Sequence, residues 1–151
     1  MTPDTIEKEI LINAPAEAVY RVITEPDQIS QWFTDAAELD PVPGGEGTLT
    51  FENRATTQPV AVKLTVQAAV PPHRFCFRWA YPDGEQPRQG NSLLVEFTLT
   101  PEGTGTRLRV TETGFAALGK PEQDRAGYYA DHDKGWDTHL ASLQNYVARQ
   151  S

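Results

Sequence analysis

The chain has 151 residues, with 13 Lys and Arg against 21 Asp and Glu, which gives a formal net charge of −8. This length suits one hydrophobic core, so we expect a single domain over residues 1–151. The acidic balance excludes nucleic-acid binding, and the lack of an apolar run of roughly 18 residues or of a basic leader predicts a cytoplasmic protein with no membrane insertion.

The first third of the sequence predicts a strand followed by two short helices. Residues 6–12 form the strand, and Pro15 then suits the first turn of a helix that ends at about Thr24. Pro26 begins the second helix. The apolar positions at helical spacing are Val19, Val22 and Ile23 in the first helix and Ile29, Trp32 and Phe33 in the second.

From about residue 47 to residue 113 the apolar residues recur with a period of two. This pattern is typical of antiparallel strands with one face towards the core, and the short connections favour a meander. With the first strand, we expect a sheet of six or seven strands. The alternating positions are Leu49 and Phe51; Val60, Val62, Leu64 and Val66; Phe75, Phe77, Trp79 and Tyr81; Leu93, Val95, Phe97 and Leu99; and Leu108 and Val110.

The chain returns to a helical period from Pro121 to about Arg149. At 100° per residue, one stripe lies within about 40° of Trp136, while the opposite side is polar. The pattern predicts a long amphipathic helix of roughly 40 Å over an apolar surface. The stripe consists of Tyr129, Trp136, Leu140, Leu143 and Val147.

The widths of these elements predict a cavity. Six strands at ~4.8 Å each make a sheet roughly 25–30 Å wide, whereas one helix is only about 10 Å across. The sheet must therefore curl around the helix to cover its aromatic face, which favours a mostly apolar pocket between the two. The alternative is a core that large aromatic side chains fill completely, and both remain open at this stage.

Six stretches of the sequence, in this order, resemble one protein family. They are Ile12–Tyr20, Thr24–Phe33, Phe75–Trp79, Val95–Pro101, Thr106–Phe115 and Gly135–Leu140. The order of elements is similar to the START-like (SRPBCC, birch-pollen-allergen-related) superfamily. The stretches resemble, more narrowly, the family named after the activator of the ninety-kilodalton heat-shock chaperone's ATPase.

This resemblance implies an α+β helix-grip fold, in which a curved antiparallel sheet surrounds a long C-terminal helix and two short helices follow the first strand. It implies function less directly, because relatives include lipid and hormone carriers, polyketide cyclases, antibiotic-resistance proteins and chaperone partners.

The polar candidates for a site lie beside the apolar stripe. The alternation places Glu112 on the concave face, where a carboxylate needs a partner or exposure at the mouth of a pocket. His132 and His139 lie together on one flank of the apolar stripe, either to orient a ligand or as boundary histidines satisfied by water or backbone. The full set of predicted ligand-binding residues is Trp32, Phe33, Phe51, Phe77, Trp79, Phe97, Glu112, Tyr129, His132, Trp136, His139 and Leu140.

Other chemistry has little support in the sequence. We find no nucleophile–base pair, phosphate loop or zinc-type histidine spacing, so we predict no catalytic residue, no cofactor and no metal. The single cysteine, Cys76, excludes an internal disulfide. Gly135 lies in the middle of the predicted long helix, where glycine is unfavourable. We interpret it as a packing constraint, and the alternative is that it leaves room beside a pocket.

Three functional hypotheses follow. The first is binding of a small, largely hydrophobic ligand of the lipid, polyketide or aromatic type between the sheet and the long helix. The second is a polyketide cyclase or aromatase-type enzyme in which Glu112, His132 or His139 moves protons. The third is a stress-response partner of a heat-shock chaperone.

Overall fold

The computed structural model describes residues 3–53, 58–81 and 84–149, so both ends of the domain predicted over 1–151 lie outside the described residues. The strands are β1 (Thr5–Ile12), β2 (Ala36–Leu39), β3 (Glu46–Asn53), β4 (Gln58–Val70), β5 (Arg74–Trp79), β6 (Leu93–Glu102) and β7 (Gly105–Thr113). The helices are α1 (Ala16–Thr24), α2 (Pro26–Ile29) and α3 (Glu122–Arg149), with a 3-10 turn at Phe115–Ala117.

The described strands form one antiparallel sheet in the order β1-β7-β6-β5-β4-β3-β2. Strands β2 to β7 follow one another as a meander, and β1 pairs with β7 to complete the sheet. With α3 over one face, this is the α+β helix-grip fold predicted from the sequence, with seven strands. Strand β2 is not predicted by the sequence pattern, because its Ala-Ala-Glu-Leu sequence is poor in the β-branched and aromatic residues that are typical of strands.

The sheet register places the large apolar side chains on the concave face. Phe75 pairs with Phe97 and Phe77 with Val95, and all four are buried. The convex face instead has ion pairs between neighbouring strands, such as Arg109 Nη2 to Glu7 Oε2 at 2.6 Å. The period-two pattern of the sequence therefore identified the two faces correctly.

Helix α3 lies along the β1 edge of the sheet. Tyr129 Oη donates to the carbonyl of Thr5 and Gln144 Nε2 to that of Leu11, both at 3.0 Å. Lys8 Nζ lies 2.9 Å from Asp133 Oδ1 on the helix. Because β1 is an edge strand, its outward carbonyls need partners other than a strand, and α3 supplies them. The helix buries Trp136, Leu140, Leu143 and Val147 beneath it, as predicted, whereas Tyr129 of the same predicted stripe is only partly buried.

The middle of the space between the sheet and α3 is filled by aromatic rings. Phe97 contacts Phe77 and Trp136 with ring centroids 6.4 and 5.9 Å apart. A void of only about 10 Å³ lies there, beside Phe75 and Phe33. The sequence left two alternatives, a pocket or a core filled by aromatic side chains, and the deep interior corresponds to the second.

Candidate functional site

A larger pocket of about 310 Å³ opens between α3 and the far side of the sheet. It exists because α3 follows the β1 edge and leaves β3 and β4 uncovered at one end. Val60 and Asp131, both exposed, belong to its lining and mark its mouth. The lining residues are Phe33, Phe51, Val60, Val62, Trp79, Ala80, Tyr128, Asp131, His132, Gly135, Trp136 and His139.

Phe33 is the central ring of the pocket wall. Its ring stacks on Trp136 at 5.4 Å and 29°, and its edge contacts are with His139 at 4.9 Å and Phe51 at 5.6 Å. The neighbouring Trp32 stacks on Phe33 but donates its indole N–H to the carbonyl of Val22 at 3.0 Å. The turn after α2 therefore anchors Trp32 to α1 and presents Phe33 to the pocket.

Behind this wall the carboxylate of Glu112, on β7, is completely buried. Trp79 Nε1 donates to its Oε2 at 2.7 Å, and Trp136 Nε1 donates to its Oε1 at 2.8 Å. His132 Nδ1 lies 2.8 Å from the same Oε1. Residues on β5, β7 and α3 thus meet at one carboxylate, and the i, i+4 spacing of His132 and Trp136 aims both at it from one face of α3.

The two indole groups fix the direction of two of these hydrogen bonds. An indole N–H can only donate, so both oxygens of Glu112 act as acceptors. In the third hydrogen bond, between His132 Nδ1 and Oε1, Nδ1 is the donor when it carries the ring hydrogen. The hydrogen bond to Nδ1 in turn determines which ring nitrogen of His132 is left for other partners.

Two further titratable groups of the pocket are affected by their surroundings. Burial, assisted by the charge of Glu112, raises the pKa of Tyr128 to about 12. Burial also lowers the pKa of His139; the backbone of Trp32 opposes this change and the charge of His132 adds to it. The deeper wall of the pocket is therefore uncharged at neutral pH at these two positions.

Gly135 faces the pocket from the middle of α3. Among the described residues, a Cβ atom at this position would meet one heavy atom within 4 Å, His139 Cδ2 at 4.0 Å, which is an ordinary contact. The expected packing constraint is therefore wrong, and the alternative interpretation, room beside the pocket, fits the geometry. The missing side chain at Gly135 adds to the open volume between α3 and β4.

The structure distributes the predicted ligand-binding residues over five places, and their role in binding remains a prediction. Phe33, Phe51, Trp79, His132, Trp136 and His139 line the pocket, with Glu112 directly behind it. Trp32, Phe77 and Phe97 border the small deep void, Leu140 is buried in the core, and Tyr129 binds the carbonyl of Thr5.

Several lining residues were not among the predicted ones. Val60 and Val62 had a signal, since they alternate on the apolar face of a predicted strand. Helical periodicity places Tyr128 on the same side of the apolar stripe as His132 and His139, although further round, and it places Asp131 on the outward side. Among the described residues, no group of three or more His, Cys, Asp or Glu side chains is placed to hold a metal ion.

Comparison with known proteins gives a consistent family and fold. A family model described as activator of Hsp90 ATPase homolog 1-like protein matches residues 13–148. No curated protein matches the chain in sequence. In the described ranges, no helix is both long enough and apolar enough to cross a membrane.

Solved structures share the fold over almost the whole chain. MLL2253 from Mesorhizobium loti is 25% identical with a TM-score of 0.77, and the match covers 97% of this chain and 98% of that one. Aha1 from Colwellia psychrerythraea, solved as a dimer, is 21% identical with a TM-score of 0.74 and 95% coverage of both chains. DynU16, a protein in the dynemicin biosynthetic locus, is 23% identical with a TM-score of 0.74, covering 97% of this chain and 48% of DynU16.

Proposed function

The chain belongs to the activator of Hsp90 ATPase homolog 1-like family, and from that premise we propose that it binds a small, largely hydrophobic ligand in the pocket beside α3. The observation that supports this proposal is an open pocket of about 310 Å³ with walls built mainly of aromatic and aliphatic side chains. Such a concave apolar surface with a few polar groups at one edge is the usual form of a small-molecule site.

The size and shape of the pocket favour an aromatic compound over a long-chain lipid. Its volume is at the lower end of the range of about 300–1,000 Å³ that ligand pockets usually have. Phe33, Trp79 and Trp136 offer ring faces and edges to a flat guest, and such contacts favour aromatic molecules beyond their area alone. We therefore propose that the ligand is an aromatic compound with one ring or two fused rings.

A blocking substitution tests this proposal directly. Gly135→Leu places a side chain in the pocket, where a Cβ meets no clash. Gly127→Leu is the matched control, because Gly127 is exposed on the same helix and a Cβ there would meet none of the described atoms within 4 Å. Naphthalene serves as the probe, measured by isothermal titration calorimetry with the protein titrated into the probe.

We expect naphthalene to bind the wild type and the Gly127→Leu protein equally, and Gly135→Leu to weaken binding by about tenfold or more, which is about 1.4 kcal/mol. The reason is that the new side chain and the probe compete for one volume. Absence of binding to the wild type, or equal affinity in the two leucine variants, would contradict the proposal.

The family match favours a second candidate function. Residues 13–148 match a family named after activators of the Hsp90 ATPase, which supports a role as partner of such a chaperone. If this second function is correct, the added protein increases ATP hydrolysis by the chaperone of the same organism. The absence of an increase at saturating protein would exclude this function. The cyclase or aromatase alternative stays a prediction.

A further inference from the structure

We propose that His132 makes this pocket selective for aromatic ligands that bear a hydroxyl group, with the hydroxyl bound at His132 Nε2. This inference rests on the proposed ligand binding and specifies its chemistry. It starts from the observation that, among the described residues, Nδ1 of His132 has a hydrogen-bond partner and Nε2 has none.

The Glu112 network holds the His132 ring in one orientation. Nδ1 is bound to the completely buried Oε1 of Glu112 at 2.8 Å, so this edge of the ring points into the protein. Tyr128 and Phe115 contact the ring at centroid distances of 4.3 and 5.5 Å, and Trp79 at 5.9 Å. A ring with this many neighbours is already ordered before a ligand arrives, which lowers the entropic cost of binding.

The opposite edge of His132 is available to a ligand. The residue lines the pocket and its side chain keeps 18% of its surface exposed. Among the described residues, the buried polar atoms that have no hydrogen-bond partner do not include His132 Nε2, so this nitrogen belongs to the exposed part of the ring. Within residues 3–53, 58–81 and 84–149, no hydrogen bond to Nε2 is formed by another side chain or by the backbone.

A hydroxyl group fits Nε2 in either protonation state of the ring. Neutral His132 with hydrogen on Nδ1 leaves a lone pair on Nε2, which accepts a hydrogen bond from a hydroxyl. Protonated His132 has an N–H at Nε2, which donates to the hydroxyl oxygen. A hydroxyl serves both, whereas an ether oxygen or an unsubstituted ring does not.

The other histidine of the pocket is not equivalent. The backbone of Trp32 interacts with the His139 ring, and Phe33 contacts that ring edge-on at 4.9 Å. His139 thus already has a polar partner in the protein, while Nε2 of His132 gains one from the ligand. This difference makes His139 the control position for a test of His132.

The test is a cycle of two ligands and three proteins. The wild type, His132→Phe and His139→Phe are each titrated into naphthalene and into 2-naphthol, and the ratio of the two affinities is compared between the proteins. In the wild type we expect 2-naphthol to bind about three- to tenfold more tightly, the range that one hydrogen bond gives. His132→Phe is expected to reduce this ratio to about one, and His139→Phe to preserve it.

A second measurement on the unmodified protein covers the case in which His132→Phe does not fold. Long-range ¹H–¹⁵N correlation spectra of the histidine rings distinguish Nε2 from Nδ1. We expect 2-naphthol to shift the His132 Nε2 resonance more than naphthalene does. Equal shifts for the two ligands would overturn the inference.

The outcomes separate this inference from the proposed function. If neither ligand binds, or if Gly135→Leu leaves binding unchanged, the proposed function fails. If both ligands bind the wild type with equal affinity, or if His132→Phe keeps the hydroxyl preference, only the role of His132 fails.

Discussion

At the scale of single residues, Glu112 is the position where burial and charge oppose each other most strongly. Removing a carboxylate from water costs several kcal/mol, whereas each hydrogen bond to a charged group returns about 1.5–3 kcal/mol. Glu112 has three such partners, two indole N–H groups and His132 Nδ1. The carboxylate is therefore tolerated only as a member of the complete network.

Replacing Glu112 by glutamine tests this dependence with almost no change in shape. A glutamine has one acceptor oxygen and one NH₂ group, so one of the two indole N–H donors would face another donor. We expect Glu112→Gln to lower the free energy of unfolding by about 2–3 kcal/mol, measured by urea denaturation.

The control for this prediction is Glu96→Gln on the neighbouring strand β6. Glu96 forms a surface ion pair with Arg74, and such pairs contribute about 0–1 kcal/mol. Equal losses in the two variants would show that the indole network contributes nothing beyond an ordinary surface pair.

The sequence predicted part of this arrangement. The alternation along β7 placed Glu112 on the concave face, and its complete burial confirms that. Its partners could not be predicted, because Trp79 is 33 residues away in sequence and His132 is 20. Local periodicity gives the face on which a side chain lies, but not the register and helix position that bring distant side chains together.

At the scale of elements, α3 combines a well-predicted apolar stripe with a glycine that the stripe does not explain. Periodicity identified Trp136, Leu140, Leu143 and Val147 as buried, and they are. Gly135 was interpreted wrongly, since a sequence shows that a side chain is missing but not whether the space beside it is filled. Likewise β2 was missed because its strand character depends on pairing with β3 rather than on its own residues.

Alanine at Gly135 is expected to stabilise the protein. Within the part of the chain that the structure describes, the added Cβ meets His139 Cδ2 alone, at 4.0 Å. Alanine is favoured over glycine inside a helix by about 1 kcal/mol. We expect Gly135→Ala to raise the free energy of unfolding by about 0.5–1 kcal/mol in urea denaturation.

Gly114 provides the opposite case for the same substitution. It has φ of 112°, and a Cβ there would lie 3.1 Å from the carbonyl oxygen of Ser92. We expect Gly114→Ala to lower stability by about 1 kcal/mol or more, because both the backbone and the contact are strained. A loss of stability in Gly135→Ala would show that the space beside α3 is not open.

At the scale of the whole molecule, the position of α3 decides where the fold is filled and where it is open. The sheet is wider than the helix that covers it, as predicted, but the open space that results lies at only one end of the sheet. Rings such as Phe77 and Phe97 fill the middle, and α3 follows β1, so the remaining space lies over β3 and β4. Residue patterns give the widths of elements, whereas the filled volume depends on how individual rings interdigitate.

The buried titratable groups of the molecule also predict how its stability depends on pH. His139, whose ordinary pKa is 6.5, has a lowered pKa from burial, while burial raises the pKa of Tyr128 from 10.0 to about 12. Burial also raises the pKa of the Cys76 thiol above its ordinary 9.0. The unfolded chain therefore gains a proton first on acidification and loses protons first on alkalinisation, so stability falls on both sides.

His139 contributes to the acid side of this profile. Below about pH 6.5 the unfolded chain binds a proton at His139 that the folded protein does not bind, so the free energy of unfolding decreases as the pH falls. We expect His139→Gln to flatten this decrease between about pH 6.5 and pH 5, in urea denaturation at half-unit steps. His73→Gln changes an exposed histidine in the turn after β4 and is expected to follow the wild type. If His139→Gln loses stability in parallel with the wild type over this interval, the acid sensitivity belongs to other buried groups and not to a histidine kept neutral beside Phe33 and Trp136.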